Sequence, residues 1–234
     1  MSLVIVPLAG SDFHTERFGI RPLYPVGNST LIEVVLSGRS WMPSIMEGLG
    51  QLVFILRDTG RPTLKMLAFI AERFPLASTV VLGGLTSGAP LSALAGIAMA
   101  KRHDEPVIVD LADITFDLAW NPELYFQLNV SVDAVVPYFA SQDPKFSYLT
   151  LDGPRVLAAR EKQVISDHAS AGVYFFRDVA TYLRATSYCL LHQEICKVGA
   201  ALFVCPSVNG LMTVERHVHA VPVQNPNPIS RIFH

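Results

Sequence analysis

Short apolar runs rich in valine, isoleucine and leucine alternate with helical patterns in the first half of the chain. The runs cover residues 3–6, 52–56, 78–82 and 107–109. Helical patterns cover residues 62–74, which begin with a proline suited to a first turn, and residues 88–100. Runs this short and apolar are typical of strands that are buried on both faces. Their alternation with helices predicts an α/β fold with a Rossmann-like, mainly parallel sheet that is covered by helices on both faces.

The second half has a different pattern. Short strand-like segments at residues 134–138, 148–151, 156–162 and 171–176 are separated by clusters of turn residues. This spacing favours antiparallel strands and hairpins, so the sheet is expected to be mixed. A helix is predicted over residues 178–191 and strands near 201–205 and 217–223, and residues 224–228 are predicted to form a turn that leads to a frayed end. No linker or repeat interrupts the 234 residues, which predicts a single domain.

Composition excludes several classes of function. Hydrophobic residues make up 50% of the chain and the net charge is −2, so no overall basic field attracts nucleic acid or an anionic membrane. The cysteines Cys189, Cys196 and Cys205 lack metal-binding or redox spacing and are expected to be reduced core thiols. No apolar run reaches the roughly 18 residues of a membrane span, and no basic segment precedes the first strand. These features predict a cytoplasmic protein.

The loop after the first strand is the first candidate site. The strand runs directly into Leu8, Ala9 and Gly10 and then into a polar stretch. A loop of this kind presents backbone N–H groups at the carboxyl edge of a sheet, where an anionic ligand can bind.

Several motifs resemble, in order, those of the sugar-phosphate nucleotidyltransferases, and in particular their short relatives of capsule and lipopolysaccharide biosynthesis. The matching segments are Leu-Ala-Gly at residues 8–10, Leu-Tyr-Pro-Val-Gly-Asn at 23–28, Leu-Ile-Glu at 31–33, Gly-Leu-Thr-Ser-Gly-Ala at 84–89, the apolar strand and two aspartates at 107–113, Arg-Glu-Lys at 160–162, Ala-Gly-Val-Tyr-Phe-Phe at 171–176 and Pro-Ser-Val-Asn at 206–209. Arg21 falls where the family has its catalytic lysine.

The resemblance implies a GT-A-type fold, a three-layer sandwich with a nucleotide-binding half at residues 1–130 and an acceptor half at 131–234. It also implies nucleotidyl transfer from a nucleoside triphosphate to a phosphorylated sugar or similar acceptor, with Mg²⁺ as cofactor and release of pyrophosphate. The residues implied to bind the nucleotide are Leu8, Ala9, Gly10, Gly84, Thr86, Gly88 and Ser92. Arg17 and Arg21 are implied to stabilise phosphate charge, and Asp113 is implied to bind Mg²⁺. The acceptor is implied to contact Glu161, Lys162 and Gly172. Whether such a protein would be a homo-oligomer is left open.

The chemistry of this reaction explains these residue types. An acceptor oxygen attacks the α-phosphate and pyrophosphate leaves, so negative charge accumulates on oxygens that are already highly charged. Cations and N–H donors in fixed positions stabilise that charge. A carboxylate at a strand end can hold Mg²⁺ against the phosphates.

Other features depart from the family pattern. Asp12 stands where the family has its second loop glycine, the loop is shorter, and His14 and Arg17 compete for the place of the loop arginine. The alternative is therefore a catalytically degenerate protein of the same fold that binds a nucleotide or sugar phosphate. Asp110 competes with Asp113 for the metal role, and the pair lacks the spacing expected of a GT-A glycosyltransferase.

Interpretations without a functional role also remain open for several of these residues. Arg21 could be a surface residue before a proline, Glu161 and Lys162 could form a solvated strand end, and Asn209 could be only a turn former. His217 and His219 would share one face of a strand, but no third ligand stands near them in sequence, so no zinc site is expected.

Overall fold

A computed structural model describes residues 1–118, 120–229 and 233. The strands of its main sheet are β1 (Leu3–Pro7), β2 (Gln51–Arg57), β3 (Ser78–Leu82), β4 (Val107–Asp110), β5 (Val132–Ala140), β6 (Ser147–Asp152), β7 (Arg155–Glu161), β8 (His168–Ser170), β9 (Val173–Phe176) and β10 (His217–Pro222). The helices are α1 (Leu31–Ser37), α2 (Met42–Met46), α3 (Arg61–Arg73), α4 (Ala89–Ile97), α5 (Pro122–Leu128), α6 (Val179–Leu191), α7 (Gln193–Cys196) and α8 (Asn209–Met212), with 3-10 turns at Arg21–Leu23 and Cys205–Val208.

The ten strands follow the order β8-β6-β7-β10-β5-β9-β4-β1-β2-β3. Strands β4, β1, β2 and β3 are parallel, as their alternation with helices predicted. The antiparallel strands predicted for the second half are also present, since β9 is antiparallel to β4 and only the β5–β10 pair beyond it is parallel among the described residues. The sheet is therefore mixed, as predicted, but it is not mainly parallel. Strands β6 and β7 form a hairpin, in which consecutive strands joined by a tight turn must run in opposite directions.

Two large apolar clusters cover the two faces of the sheet. Along β1, Leu3 and Ile5 belong to the cluster that includes residues of α4 and α6, whereas Val4 and Val6 belong to the one that includes α1 and α3. Side chains alternate between the faces of a strand, so a strand buried on both sides must be apolar throughout. This is the pattern that predicted the strands.

In the part of the chain that the structure describes, four short antiparallel pairs lie outside the main sheet. They join His14–Thr15 to Gly19–Ile20, Pro25–Val26 to Ser29–Thr30, Lys197–Val198 to Ala201–Leu202, and Thr115–Asp117 to Gln224–Asn227. The last pair corrects the prediction of a turn at residues 224–228, whereas residues 230–232 and 234, in the end predicted to be frayed, lie outside the described residues. The strand predicted at 201–205 is shortened to Ala201–Leu202, because a 3-10 turn with Pro206 follows it. Within the described residues, no helix combines the length and apolarity that crossing a bilayer requires.

Candidate functional site

The first loop leaves the carboxyl end of β1 and stays close to β2. The backbone N–H of Leu8 donates to the Ile55 carbonyl at 2.8 Å, and that of Phe13 donates to the Gly10 carbonyl at 3.2 Å. Ala9 is buried in the core, whereas Gly10 is exposed. The side chains of Leu8 and Ala9 therefore pack inward, and the loop can offer a ligand mainly its backbone.

Arg21 forms an ion pair with Asp12. Its guanidinium donates to the Asp12 carboxylate, and the Arg21 side chain is only 17% exposed against 60% for Asp12. A Cβ on Gly10 would lie 2.6 Å from Asp12 Oδ1, so this geometry favours glycine at position 10. Burial lowers the pKa of Arg21, while the charge of Asp113 opposes that shift. Arg21 is thus a largely buried cation near Asp113, and the alternative interpretation of Arg21 as a surface residue is wrong.

A cavity of about 270 Å³ opens beside this ion pair. Its lining residues are Asp12, Thr15, Arg17, Phe18, Arg21 and Phe233. Arg17 lies with its guanidinium carbon 4.7 Å from the centre of the Phe18 ring, and Arg21 lies 4.8 Å from that of Phe233. Of the two candidates for the loop cation, Arg17 lines the cavity and His14 does not. Ligand pockets usually measure about 300–1,000 Å³, so this cavity lies just below the usual range.

Asp110 is occupied by a buried arginine. Arg39 donates through Nε to Asp110 Oδ2 at 2.8 Å and through one terminal nitrogen to Oδ1 at 3.1 Å. Oδ1 also accepts from the Ala112 backbone at 2.9 Å. The carboxylate and the guanidinium are both fully buried, and Arg39 also donates to the Ile114 carbonyl. Asp110 is therefore a structural residue, which leaves Asp113 as the candidate metal ligand.

Asp113 has a carboxylate oxygen without a partner. Its Oδ1 is buried and accepts no hydrogen bond from the described residues. Gly172, at a φ of +74°, lies directly against it, and a Cβ there would be 2.9 Å from Oδ1. Burial raises the pKa of Asp113, opposed first by the charge of Arg21. A buried carboxylate oxygen of this kind is stabilised by a cation.

Asp113 fits Mg²⁺ as one carboxylate among several ligands. Mg²⁺ usually binds one or two carboxylates together with substrate phosphates and waters. The described residues contain no group of three or more histidine, cysteine or acidic side chains that would form an all-protein metal site. Asp113 with a bound phosphate ligand is the arrangement that these residues allow.

Glu161 is buried at the end of β7. It is 5% exposed and accepts a hydrogen bond from the Ser147 hydroxyl. Burial raises the pKa of Glu161 to about 7, opposed by the Ser147 hydrogen bond and the charge of Lys162, and the charge of Asp113 adds to the increase. Glu161 is therefore not a solvated strand end, and it interacts electrostatically with Asp113.

Lys162 leaves the sheet and is exposed. Its φ is +53° and its backbone N–H donates to the Phe146 carbonyl at 3.1 Å. Nζ lies 5.3 Å from the centre of the Phe203 ring. The backbone thus turns sharply between a buried acid and an exposed base.

Hydrogen bonds within residues 83–92, the segment that follows β3, stabilise its conformation. The hydroxyls of Thr86 and Ser92 lie 2.6 Å apart, and Thr86 donates to the Gly88 carbonyl at 3.0 Å. A Cβ on Gly88 would be 2.1 Å from the Leu202 carbonyl oxygen, so glycine permits close backbone packing there. Around Gly84, by contrast, no atom lies within 4 Å of an added Cβ. Gly84, like Gly83 before it, faces open space.

Charged residues from distant parts of the chain are thus near enough to affect one another's pKa. Electrostatic coupling links Arg21, Asp113 and Glu161, and Gly172 packs on Asp113. Within the described residues, no hydrogen bond or ion pair joins the Thr86–Ser92 pair to this cluster.

Solved structures with the same architecture include two sugar-nucleotide proteins. A nucleoside-diphosphate-sugar pyrophosphorylase from Vibrio cholerae RC9 superposes with a TM-score of 0.77 at 18% identity, over 96% of this chain and 93% of that one. The chain has a sugar nucleotidyltransferase-type fold. A protein described as a glucose-1-phosphate thymidylyltransferase from Bacillus anthracis, solved in complex with sucrose, superposes with a TM-score of 0.68 at 15% identity, over 95% and 87% of the two chains. No sequence-family model and no curated protein matches the chain.

The sequence analysis missed two residues of this candidate site and left the role of a third open. Phe18 and Phe233 line the cavity and stack edge-to-face with ring centres 5.1 Å apart. Phe18 directly follows Arg17, which could have suggested it, whereas nothing in the sequence points to Phe233. Asn209 is neither a site residue nor a mere turn former, because its amide exchanges hydrogen bonds with both backbone groups of Ala159 in β7.

Proposed function

We propose that this protein transfers a nucleotidyl group from a nucleoside triphosphate to a sugar phosphate or similar phosphorylated acceptor and releases pyrophosphate. The observation that carries the proposal is the unpartnered, buried oxygen of Asp113 beside Arg21 and Glu161. The similarity to two sugar-nucleotide proteins over nearly the whole chain supports a nucleotidyltransferase-type fold, and the proposal takes that fold to be a GT-A-type three-layer sandwich. A nucleotide-activated sugar made in this way would suit surface-polysaccharide synthesis.

In this proposal the first half of the chain binds the nucleotide. The exposed backbone at Gly10 approaches the triphosphate, and the open backbone at Gly84 approaches the base and ribose. Mg²⁺ bound to Asp113 would neutralise phosphate charge. Arg21 and Arg17 line the adjoining cavity and stabilise the charge that gathers on the α-phosphate and on the leaving pyrophosphate.

The second half would position the acceptor. Glu161 is coupled to Asp113, so an acceptor held by its carboxylate would lie beside the phosphates. Lys162 supplies a nearby positive charge that suits the phosphate of the acceptor. Gly172 keeps the space over Asp113 free of a side chain. Orientation of the two reactants accounts for much of the acceleration expected in such a site.

A binding protein without turnover is the second candidate. The ion pair between Asp12 and Arg21 favours it, because a phosphate must compete with the Asp12 carboxylate for the guanidinium. Such a protein would bind a nucleotide or a sugar phosphate with Arg21 displaced from Asp12, and would release no pyrophosphate.

Pyrophosphate release distinguishes the two candidates. The protein is incubated with Mg²⁺, each nucleoside triphosphate in turn and a panel of sugar 1-phosphates. Release that is lost in Asp113→Asn and retained in Asp152→Asn, an exposed aspartate at the end of β6, supports the enzyme. Thermal stabilisation by a nucleotide without pyrophosphate supports the binding protein. A protein that shows neither response refutes both.

A further inference from the structure

Arg57 is the last residue of β2, which lies between β1 and β3 in the sheet. Its Cα pairs with Leu82, the last residue of β3. On the other side of β2, Ile55 pairs with Pro7 of β1. Arg57 and Ala9 each lie two residues beyond this pair, so they are at the same level of the sheet. The register therefore brings Arg57 to the carboxyl edge, between the loop at 8–10 and the loop that begins at 83.

The side chain of Arg57 extends toward the α4 face of the sheet. Val53 and Ile55 belong to the apolar cluster that includes α4, and alternate residues of a strand share a face. Ala9 and Leu82 pack against the same cluster. Gly83 and Gly84 follow Leu82, and a Cβ added at either would have no atom within 4 Å. Arg57 thus borders open space on the face where Gly84 leaves its backbone accessible.

Arg57 has an unsatisfied donor. Its Nε is inaccessible to solvent and donates to no acceptor among the described residues, and within the same part of the chain its guanidinium forms no ion pair. Arg39 also has one buried nitrogen without a partner, Nη1, but its other nitrogens donate to Asp110, and Arg177 donates to backbone carbonyls. A buried N–H group without an acceptor is unfavourable, and rotation of the side chain toward a charged ligand would give that group an acceptor.

We infer that Arg57 is a nucleotide-binding residue that donates to acceptor oxygens of the bound nucleotide, at the border between its phosphates and its base. The inference rests on the proposed function, because it requires a nucleotide at this edge. The acceptor is either an α-phosphate oxygen or a carbonyl oxygen of the base, and the guanidinium fork suits both.

Calorimetric titration with each of the four nucleoside triphosphates and Mg²⁺ tests the inference. The variants are Arg57→Gln and Arg61→Gln, the latter an exposed arginine of α3 on the opposite face. Loss of a charge-assisted hydrogen bond predicts about tenfold weaker binding in Arg57→Gln and less than about threefold in Arg61→Gln. An equal loss for all four triphosphates indicates the phosphate, and a loss that depends on the base indicates the carbonyl.

Unchanged affinity in Arg57→Gln, or an equal loss in Arg61→Gln, overturns the inference while the proposed function stands. If the wild-type protein binds none of the four triphosphates, the proposed function fails and the inference fails with it. Should thermal unfolding show that Arg57→Gln is not folded, Arg57→Lys takes its place. Lysine keeps the charge but lacks the Nε–H donor, so weaker binding than wild type is expected, and wild-type affinity would refute the role of Arg57.

Discussion

Replacement of Glu161 with glutamine should stabilise the protein at alkaline pH. Glu161 is 5% exposed, and burial raises its pKa from 4.5 to about 7. The folded protein therefore holds this proton more tightly than the unfolded chain does. The stabilisation that comes from this tighter proton binding is complete below pH 4.5 and is lost as the pH rises through 7. The whole shift corresponds to about 3 kcal/mol, of which about 2–3 kcal/mol falls between about pH 5 and about pH 8.

Glutamine is neutral at every pH and has nearly the same shape, so the variant lacks this loss. Urea unfolding of the wild type and of Glu161→Gln measures the free energy of unfolding at both pH values. The free energy of unfolding of the variant minus that of the wild type should rise by about 2–3 kcal/mol from about pH 5 to about pH 8. Glu72→Gln, at an exposed position of α3, should show no such change. A difference for Glu161→Gln that is constant with pH would refute the argument from burial.

Other predictions concern the charges and the glycine around the site. Arg39→Met leaves the buried carboxylate of Asp110 without its partner, so the free energy of unfolding should fall by about 3–5 kcal/mol; a loss under about 1 kcal/mol would contradict a buried ion pair. Asp12→Asn weakens the competition for Arg21, and calorimetry should show tighter binding of triphosphate with Mg²⁺, by about threefold to tenfold; weaker binding would show that Asp12 helps to hold the ligand. Gly172→Ala introduces a methyl group 2.9 Å from the candidate metal-binding carboxylate at a positive φ, so it should lower stability by about 1 kcal/mol or more and weaken binding that depends on Mg²⁺; wild-type binding would separate Gly172 from the site.

The parallel half of the sheet could be predicted from the sequence because each of its strands carries a short apolar run; β1, β2 and β4 are buried on both faces, and β3 is a partly exposed edge strand. The strand at Ser78–Leu82 was predicted with its observed bounds. The antiparallel half was predicted as strands, but their order was not, because pairing between distant segments leaves no local pattern. The strand Gln224–Asn227 was missed for the same reason, since its partner Thr115–Asp117 is remote in sequence.

The candidate site could be predicted only in part. Local motifs indicated Gly10, Asp113 and Glu161, but burial decides their chemistry and burial depends on the whole fold. The pairing of Asp110 with Arg39 spans 71 residues, so the sequence alone could not tell which aspartate was available for a metal. Phe233 lines the cavity, but no local sequence pattern indicates that position.

The most direct test of the proposed function is detection of its covalent product. Mass spectrometry of a reaction with Mg²⁺, a nucleoside triphosphate and a sugar 1-phosphate should reveal a nucleotide-activated sugar with the wild-type protein. Asp113→Asn should give none, because it loses the negative charge that would hold Mg²⁺ against the phosphates. Equal product from the wild type and from Asp113→Asn would contradict the role given to this carboxylate.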